Sequence, residues 1–302
     1  MSGAGPKPGL GGLVIVDKFA GMTSHDVVGR IRKLANTRKV GHAGTLDPMA
    51  TGVLVVGIER ATRLLGHLAG GDKSYAATIR LGAATDTDDA MGMVTASADA
   101  SAVGDEAIAA GIAVLSGDIE QVPSTISAIK VDGKRAYSRA RAGEEVELAA
   151  RAVQVERFAV LATRRAGEYV DLDVEVDCST GTYIRALARD LGAGLGVGGH
   201  LTALRRTRVG PFGLDGAHTL DELAETWTTV PIAQAARATF AHRDVDAEAA
   251  RILVNGGWLP AELAGVEGAT GPTAVFGPDE WFCGLIEVRD GRARPIAVFG
   301  DA

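Results

Sequence analysis

Only two of the 302 residues are cysteine, Cys178 and Cys283, and the six histidines are scattered along the chain. So few ligands assemble neither a disulfide framework nor a thiolate metal site, and metal catalysis is not expected. Long apolar runs are missing too. Stretches such as residues 13–16 and 53–56 stop far short of the ~20 residues that span a bilayer, and the glycine-rich start lacks the apolar stretch of a secretory signal. A cytoplasmic protein with no membrane partner is the expectation. There is no dinucleotide glycine fingerprint and no regular strand-helix alternation, which disfavours a doubly wound parallel sheet. Aromatics are few, 7 Phe, 3 Trp and 4 Tyr, so an aromatic beside a polar motif carries more information than usual.

What remains is ordinary globular composition, 46% hydrophobic with a net charge of -7. A chain of 302 residues slightly exceeds what one core supports, so one large domain and a smaller companion are expected. The charge is uneven. Residues 1–75 carry 10 basic and 5 acidic residues, residues 76–130 carry 2 and 8, residues 131–216 carry 13 and 12, and residues 217–302 carry 6 and 13. A polyanion is drawn to the first and third of these, because the local field steers an encounter. Taken alone, such a balance is that of a solvated surface.

Residues 1–12 hold five glycines and two prolines and read as a flexible tail. Ser24 can cap a helix in which Val27, Val28, Ile31 and Leu34 recur at helical spacing. Residues 13–16, 52–58, 73–81 and 201–209 read as strands, residues 106–115 as a helix, and residues 121–131 as extended. Residues 169–178 alternate most clearly: Val170, Leu172, Val174, Val176 and Cys178 interleave with Asp171, Asp173, Glu175 and Asp177, a half-buried strand with a solvated acidic face. Gly181 leads into a helix with Ile184, Leu187, Ala188 and Leu191 on one side. Strands outnumber helices, so the fold class is α+β with a mixed, mostly antiparallel sheet. Residues 230–239 read as a polar, alanine-rich connector, and the last ~60 residues as a small β-barrel of short apolar runs.

Residues 41–52 read Gly-His-Ala-Gly-Thr-Leu-Asp-Pro-Met-Ala-Thr-Gly. One carboxylate, Asp47, stands among small residues directly before a strand, and aspartate before proline favours a turn that holds the side chain off a regular ladder. This segment resembles the aspartate motif of the bacterial tRNA pseudouridine synthase B family, usually Gly-His-x-Gly-x-Leu-Asp-Pro-x-Ala-x-Gly. The resemblance continues in order through Val16-Asp17-Lys18, Gly21-Met22-Thr23-Ser24, Asp72-Lys73-Ser74-Tyr75, Gln121-Val122-Pro123-Ser124, residues 130–135 with Tyr137, Gly181-Thr182-Tyr183-Ile184-Arg185, Gly199-His200-Leu201 and Leu204-Arg205-Arg206. An ordered series over residues 13–208 is far more specific than any one of its motifs.

The resemblance implies a pseudouridine synthase fold over residues 13–235 and a PUA-like domain over residues 239–302. It implies isomerisation of uridine-55 in the T loop of tRNA, with the T arm as partner, no cofactor, no obligate protein partner and a monomer. The reaction breaks the bond from ribose to N1, rotates the uracil and rejoins it through C5. A carboxylate serves as nucleophile on base or sugar, or as a base that removes a sugar proton, and the sequence does not choose between them. By resemblance Asp47 is that carboxylate and Arg185 fixes its direction. The target base must be flipped out of folded RNA. Tyr75 would stack on it, Tyr183 and Leu204 would line its pocket, and His42 would fill the space it leaves. Lys18, Lys130, Lys134, Arg135, Arg205 and Arg206 are RNA-contact candidates, the middle three within a thumb-like segment at about residues 124–147 that also holds Arg139 and Arg141.

Asp86-Thr87-Asp88-Asp89 superficially resembles a calcium loop, but Ala90 and Ser97 stand where ligands are required, so it reads as a structural acidic turn. Residues 239–302 carry 5 basic and 10 acidic residues, an unusual balance for an RNA-binding module. Two other functions fit the same resemblance: an RNA chaperone that refolds tRNA without chemistry, and the catalytic subunit of a guide-RNA-directed complex such as the dyskerin relatives. Asp47 within an intact loop favours catalysis over pure chaperoning, and a thumb segment without long basic tails favours a stand-alone enzyme.

Overall fold

The computed structural model describes residues 11–124 and 148–300, together with the backbone of residues 130–131 and 134–135. Most of the expected tail and of the thumb-like segment, Arg139 and Arg141 included, lies outside the described residues.

Alternating apolar residues build the sheet that organises the molecule. In chain order the strands are β1 (Gly12–Lys18), β2 (Val40–Ala43), β3 (Thr51–Ile58) and β4 (Lys73–Leu81), then a hairpin of β5 (Ala83–Thr85) and β6 (Val94–Ser97). There follow β7 (Gly117–Gln121), a two-residue hairpin of β8 (Lys130–Val131) and β9 (Lys134–Arg135), β10 (Arg151–Ala166), β11 (Tyr169–Cys178), β12 (Gly199–Val209), β13 (Phe212–Gly213) and β14 (Val230–Pro231). The main sheet runs β14-β1-β3-β12-β4-β11-β10-β7, with β2 on β3 and β13 on β12. Among the described residues of this sheet only β3 and β12 pair in parallel, so the sheet is mixed and mostly antiparallel, as expected.

One face of the sheet is covered by α1 (Ser24–Leu34), α3 (Asp105–Val114) and α4 (Ile184–Gly194), with the four-residue α2 (Leu65–Leu68) between the first two in the chain. Val27, Val28 and Ile31 of α1 and Leu187 and Leu191 of α4 are buried in one cluster with Leu54, Ile79, Leu172 and Val174 of the strands. The helix cap differs from the expectation: Thr23, not Ser24, caps α1 by accepting from the Asp26 N–H. Ser24 is buried inside the helix start and serves the loop described below.

The four carboxylates of β11 do face away from the core, but they are not simply solvated. Asp171 is forked onto by Arg80 at 2.7 and 2.8 Å, Asp173 pairs with Arg164, Glu175 with Arg157 at 2.7 Å, and Asp177 with Arg208 at 3.8 Å. Cross-strand arginines thus neutralise the acidic face residue by residue. Half of these partners come from β10, a 16-residue strand absent from the sequence reading.

Residues 230–239 are not a connector. They form β14 and then α6 (Ile232–Thr239), after the short α5 (Leu220–Glu225), and Ile232, Ala235 and Ala236 of α6 are buried. Alanine is the best intrinsic helix former, and small side chains allow close packing. The strand expected from Gln121 onward is also shorter: β7 ends at Gln121 and residues 122–124 are not strand, while residues 125–129 lie outside the described residues. The carboxy-terminal sheet runs β15 (Ala241–Asp244), β17 (Thr273–Phe276), β18 (Phe282–Arg289), β19 (Arg292–Val298) and β16 (Leu259–Pro260), beside α7 (Ala247–Val254). This five-stranded sheet fits the small PUA-like domain expected at the end of the chain. Its aromatics Phe276, Phe282 and Phe299 share one core with Leu13, Ile15, Val53 and Val55 of the main sheet and with α6.

Candidate active site

The loop between β2 and β3 carries Asp47 and is fixed almost entirely through its own backbone. Ser24 Oγ donates to the Leu46 carbonyl at 3.1 Å and accepts from the Leu46 N–H at 2.9 Å. Arg206 donates to the carbonyls of Gly44, Thr45 and Val53 at 3.2, 3.3 and 2.8 Å. Lys18 Nζ donates to the carbonyls of Phe19, Met22 and Pro48 at 3.0, 2.8 and 3.3 Å, and the Gly21 N–H reaches the Pro48 carbonyl at 2.7 Å. Buried cations are tolerable only when their donors find acceptors, and here the acceptors are backbone carbonyls, those of Gly44, Thr45 and Pro48 in the loop itself among them. Gly52, at φ +98°, lets the loop rejoin β3: a Cβ there would lie 2.1 Å from the Arg206 carbonyl.

This overturns two expectations about RNA contact. Lys18 and Arg206 are 0% and 1% exposed, too deep to meet a phosphate, and they serve as struts beneath the Asp47 loop. Burial lowers Lys18 to about 8 despite the opposing attraction of Asp47. Lys73, whose Nζ donates to the carbonyls of Ala69 and Gly71 at 3.0 and 2.7 Å, is lowered to about 8 by the same cause. Arg205 alternates to the opposite face of β12, where it forks onto Asp17 at 3.0 and 2.7 Å.

Asp47, Tyr75, Tyr183, Arg185 and Leu204 line one cavity of about 320 Å³, together with Lys73, Arg206 and the Thr180–Gly181–Thr182 turn. Tyr75 comes from β4, Leu204 from β12, and Tyr183 and Arg185 from the start of α4. Arg185 Nε donates to Asp47 Oδ2 at 2.9 Å, and its NH1 donates to the Thr87 carbonyl at 2.7 Å. Its Nε also lies 3.7 Å from Asp89 Oδ2. Arg185 is almost fully buried, whereas a third of the Asp47 side chain is exposed. A fixed cation therefore aims an accessible carboxylate into the cavity. Burial pushes the Tyr75 phenol above its ordinary value, against the nearby guanidinium of Arg206, so the ring faces the cavity as a neutral phenol.

His42 is half-buried on β2 opposite Val56 and is not part of the cavity lining. Lys130, Lys134 and Arg135 fall on the β8–β9 hairpin, where only the backbone is described. The sequence reading missed the groups behind Arg185. The acidic turn at residues 86–89 is structural, as expected, but Asp88 and Asp89 are buried and face α4, where Asp88 meets Arg189 at 3.4 Å. Burial raises Asp88, opposed by its hydrogen-bonding and cationic neighbours. Among the described residues, no group of three or more His, Cys, Asp or Glu side chains is arranged to hold a metal ion, and no helix is long and apolar enough to cross a membrane.

Comparison with known proteins agrees along nearly the whole chain. Residues 32–184 match the N-terminal domain of the TruB family pseudouridylate synthases, residues 185–239 the tRNA pseudouridylate synthase B C-terminal domain, and residues 240–300 the tRNA pseudouridine synthase II C-terminal region. A tRNA pseudouridine synthase B of Streptomyces coelicolor is 61% identical over 296 residues, covering 96% of this chain and 97% of the relative. That of Nocardia farcinica is 60% identical, covering 96% and 93%. Among solved structures, a Cbf5-Nop10-Gar1 complex contains a chain with a TM-score of 0.73 and 26% identity, covering 96% of this chain and 85% of that one. An H/ACA RNP bound to a substrate RNA containing 2'-deoxyuridine gives 0.71 and 25% at the same coverage.

Proposed function

The chain belongs to the TruB family of pseudouridylate synthases, and from that premise we propose that it converts uridine-55 in the T loop of tRNA to pseudouridine. The observation that carries this reading is the Asp47–Arg185 pair in a cavity walled by Tyr75, Tyr183 and Leu204. The relatives named for tRNA share 60–61% of their residues with this chain, against 25–26% for the chains of the H/ACA and Cbf5 assemblies. Identity of that order favours tRNA over a guide-RNA-directed substrate.

The uridine leaves the RNA stack and its uracil enters the cavity, where the Tyr75 ring replaces part of the lost stacking. Asp47 then acts as nucleophile on the base or sugar, or as a base toward the sugar. Either way the bond from C1' to N1 breaks, the uracil turns, a bond from C1' to C5 forms, and the proton lost from C5 is balanced by one gained at N1. Arg185 keeps the carboxylate pointed at the reacting carbons, and preorganisation of this kind accelerates a step without further rearrangement. Tyr183 and Leu204 border the uracil, while His42, outside the lining, fills the gap left in the T loop. The hairpin around Lys130, Lys134 and Arg135 supplies phosphate contacts, and Arg205 contributes at the edge. The catalytic unit extends over residues 13–235, with a PUA-like unit over residues 239–302. The protein works as a monomer in the cytoplasm.

The test is whether the purified protein alone converts an unmodified tRNA transcript, with the modified position mapped by primer extension after carbodiimide treatment. Conversion at uridine-55 without added protein or guide RNA is expected. Conversion only with a guide RNA would give the guide-directed reading, and refolding of tRNA without conversion would give the chaperone reading.

A further inference from the structure

Gln121 ends β7 and is 2% exposed, yet nothing in the chemistry above uses it. Its backbone continues the sheet, pairing with Arg151 of β10, while its side chain crosses to the beginning of α4. There its Nε2 donates to the Tyr183 carbonyl at 3.1 Å, and its Oε1 accepts from the Tyr183 N–H at 2.7 Å. One carboxamide thus satisfies both backbone groups of a single residue, as a neighbouring strand would.

Tyr183 is the N-cap of α4, in extended conformation, and makes no side-chain cap hydrogen bond. A helix start of this kind takes its direction from outside contacts. The next residue of the same strand end joins in, because Arg189 NH2 donates to the Val122 carbonyl at 2.7 Å. Arg185 lies two residues beyond Tyr183, and its Nε meets Asp47 at 2.9 Å.

We propose that Gln121 is a positioning residue: by gripping both backbone groups of Tyr183 it sets the first turn of α4, and so the angle at which Arg185 holds Asp47. The inference rests on the pseudouridylation reading. Gln121 touches neither Asp47 nor the cavity, so its effect passes through Tyr183 and Arg185 alone. The grip also explains why an amide is needed at this position. An apolar side chain of similar length would fill the space but remove this acceptor from the Tyr183 N–H and leave the Tyr183 carbonyl with its helical bond from the Leu187 N–H at 3.2 Å, so the strand end would no longer hold the helix start.

Two variants test this on unmodified tRNA labelled with tritium at uridine C5. Gln121→Met removes both hydrogen bonds at similar length, and Gln121→Glu keeps the acceptor but loses the donation to the Tyr183 carbonyl. The single-turnover rate at saturating enzyme should fall roughly tenfold or more for Gln121→Met, the scale of a slightly misplaced catalytic group, and less for Gln121→Glu. Kd for tRNA should stay within about twofold in both, since no RNA-facing group changes. Either folded variant running at the wild-type saturating rate overturns the proposal. So does a loss of rate matched by equal losses of affinity and Tm, which is the signature of a purely structural residue. A wild-type protein inactive on the same tRNA would instead overturn the pseudouridylation reading.

Discussion

Arg185 Nε donates to Asp47 Oδ2 at 2.9 Å although 138 residues separate the two in the chain. The arginine is nearly buried and the aspartate is partly open, so the cation is the fixed member and the carboxylate is the one presented. The loop around Asp47 is held by Ser24, Lys18 and Arg206 through its backbone, which leaves the carboxylate itself free to work.

Asp47→Asn keeps the shape of the side chain and removes its charge. Tritium release from C5-labelled tRNA should fall by roughly three orders of magnitude or more, while tRNA affinity changes little. Turnover near the wild-type rate would remove Asp47 from the chemistry.

Asp89→Asn tests the far side of the same arginine. With the charge at 3.7 Å gone, Arg185 keeps Asp47 and the Thr87 carbonyl but loses one of its two anchoring carboxylates. The saturating rate should drop roughly tenfold with Kd for tRNA unchanged. A rate equal to wild type would mean that the Asp89 charge is not needed to fix the guanidinium.

Tyr75→Phe keeps the aromatic face and loses the phenol. Binding should persist, and turnover should fall if the hydroxyl takes part in proton transfer. Because burial raises the phenol above its ordinary value, the wild-type rate should show no loss from tyrosine ionisation up to pH 9. An inflection below pH 9 that disappears in the Phe variant would contradict the neutral-phenol assignment.

Lys18 and Lys73 should leave a mark on stability. Both are lowered to about 8 from an ordinary value of 10.5, so between those pH values the unfolded chain binds more protons than the folded one. Stability therefore rises with pH across that window. Cys178, raised to about 11 from 9.0 by burial, has the opposite sign from pH 9 upward, which confines the clear rise to pH 8–9. Urea unfolding at pH 8, 8.5 and 9 should give increasing midpoints, with a shallower increase in Lys18→Met. A flat or falling wild-type profile would contradict the assignment.

Phe276 is fully buried in the core shared by the two sheets, with the Arg237 guanidinium 3.9 Å from its ring centre. Phe276→Ala should cost about 3–5 kcal/mol. Ending the chain near Ala238 should lower Tm and impair full tRNA and an isolated T-arm hairpin alike, because the apolar face of β1 and β3 loses its cover. A truncated protein that kept its Tm and lost affinity only for full tRNA would show that the domain acts as an RNA clamp instead.

Much of this was legible in the sequence wherever one face of an element is buried along its length. β4, β11, α1 and α4 are of that kind, since Val170 to Cys178 alternate and Ile184, Leu187 and Leu191 keep helical spacing. β10 was not legible because only Val153, Val155 and Phe158 of its 16 residues are buried, too few to set a period. The helix at residues 232–239 hid behind alanines, whose burial comes from close packing rather than from large apolar groups. Lys18 and Arg206 were misread by their charge, although a signal existed. Lys18 continues the parity of Val14 and Val16, and Arg206 that of Leu204, all of them buried. The partners of Arg185 at residues 87 and 89 left no local trace, since only tertiary folding brings that turn to α4.

The Gly41–Gly52 motif looks self-contained, yet its shape is stored elsewhere. Its carbonyls are read by a lysine from β1 and an arginine from β12, its Leu46 by a serine from α1, and Gly52 leaves no room for even one methyl group beside the Arg206 backbone. A designer who transplanted those twelve residues onto another scaffold would carry the carboxylate but not its aim. The smallest portable unit is the loop together with Lys18, Ser24, Arg185 and Arg206, which makes this site a property of the sheet rather than of the motif by which it is spotted.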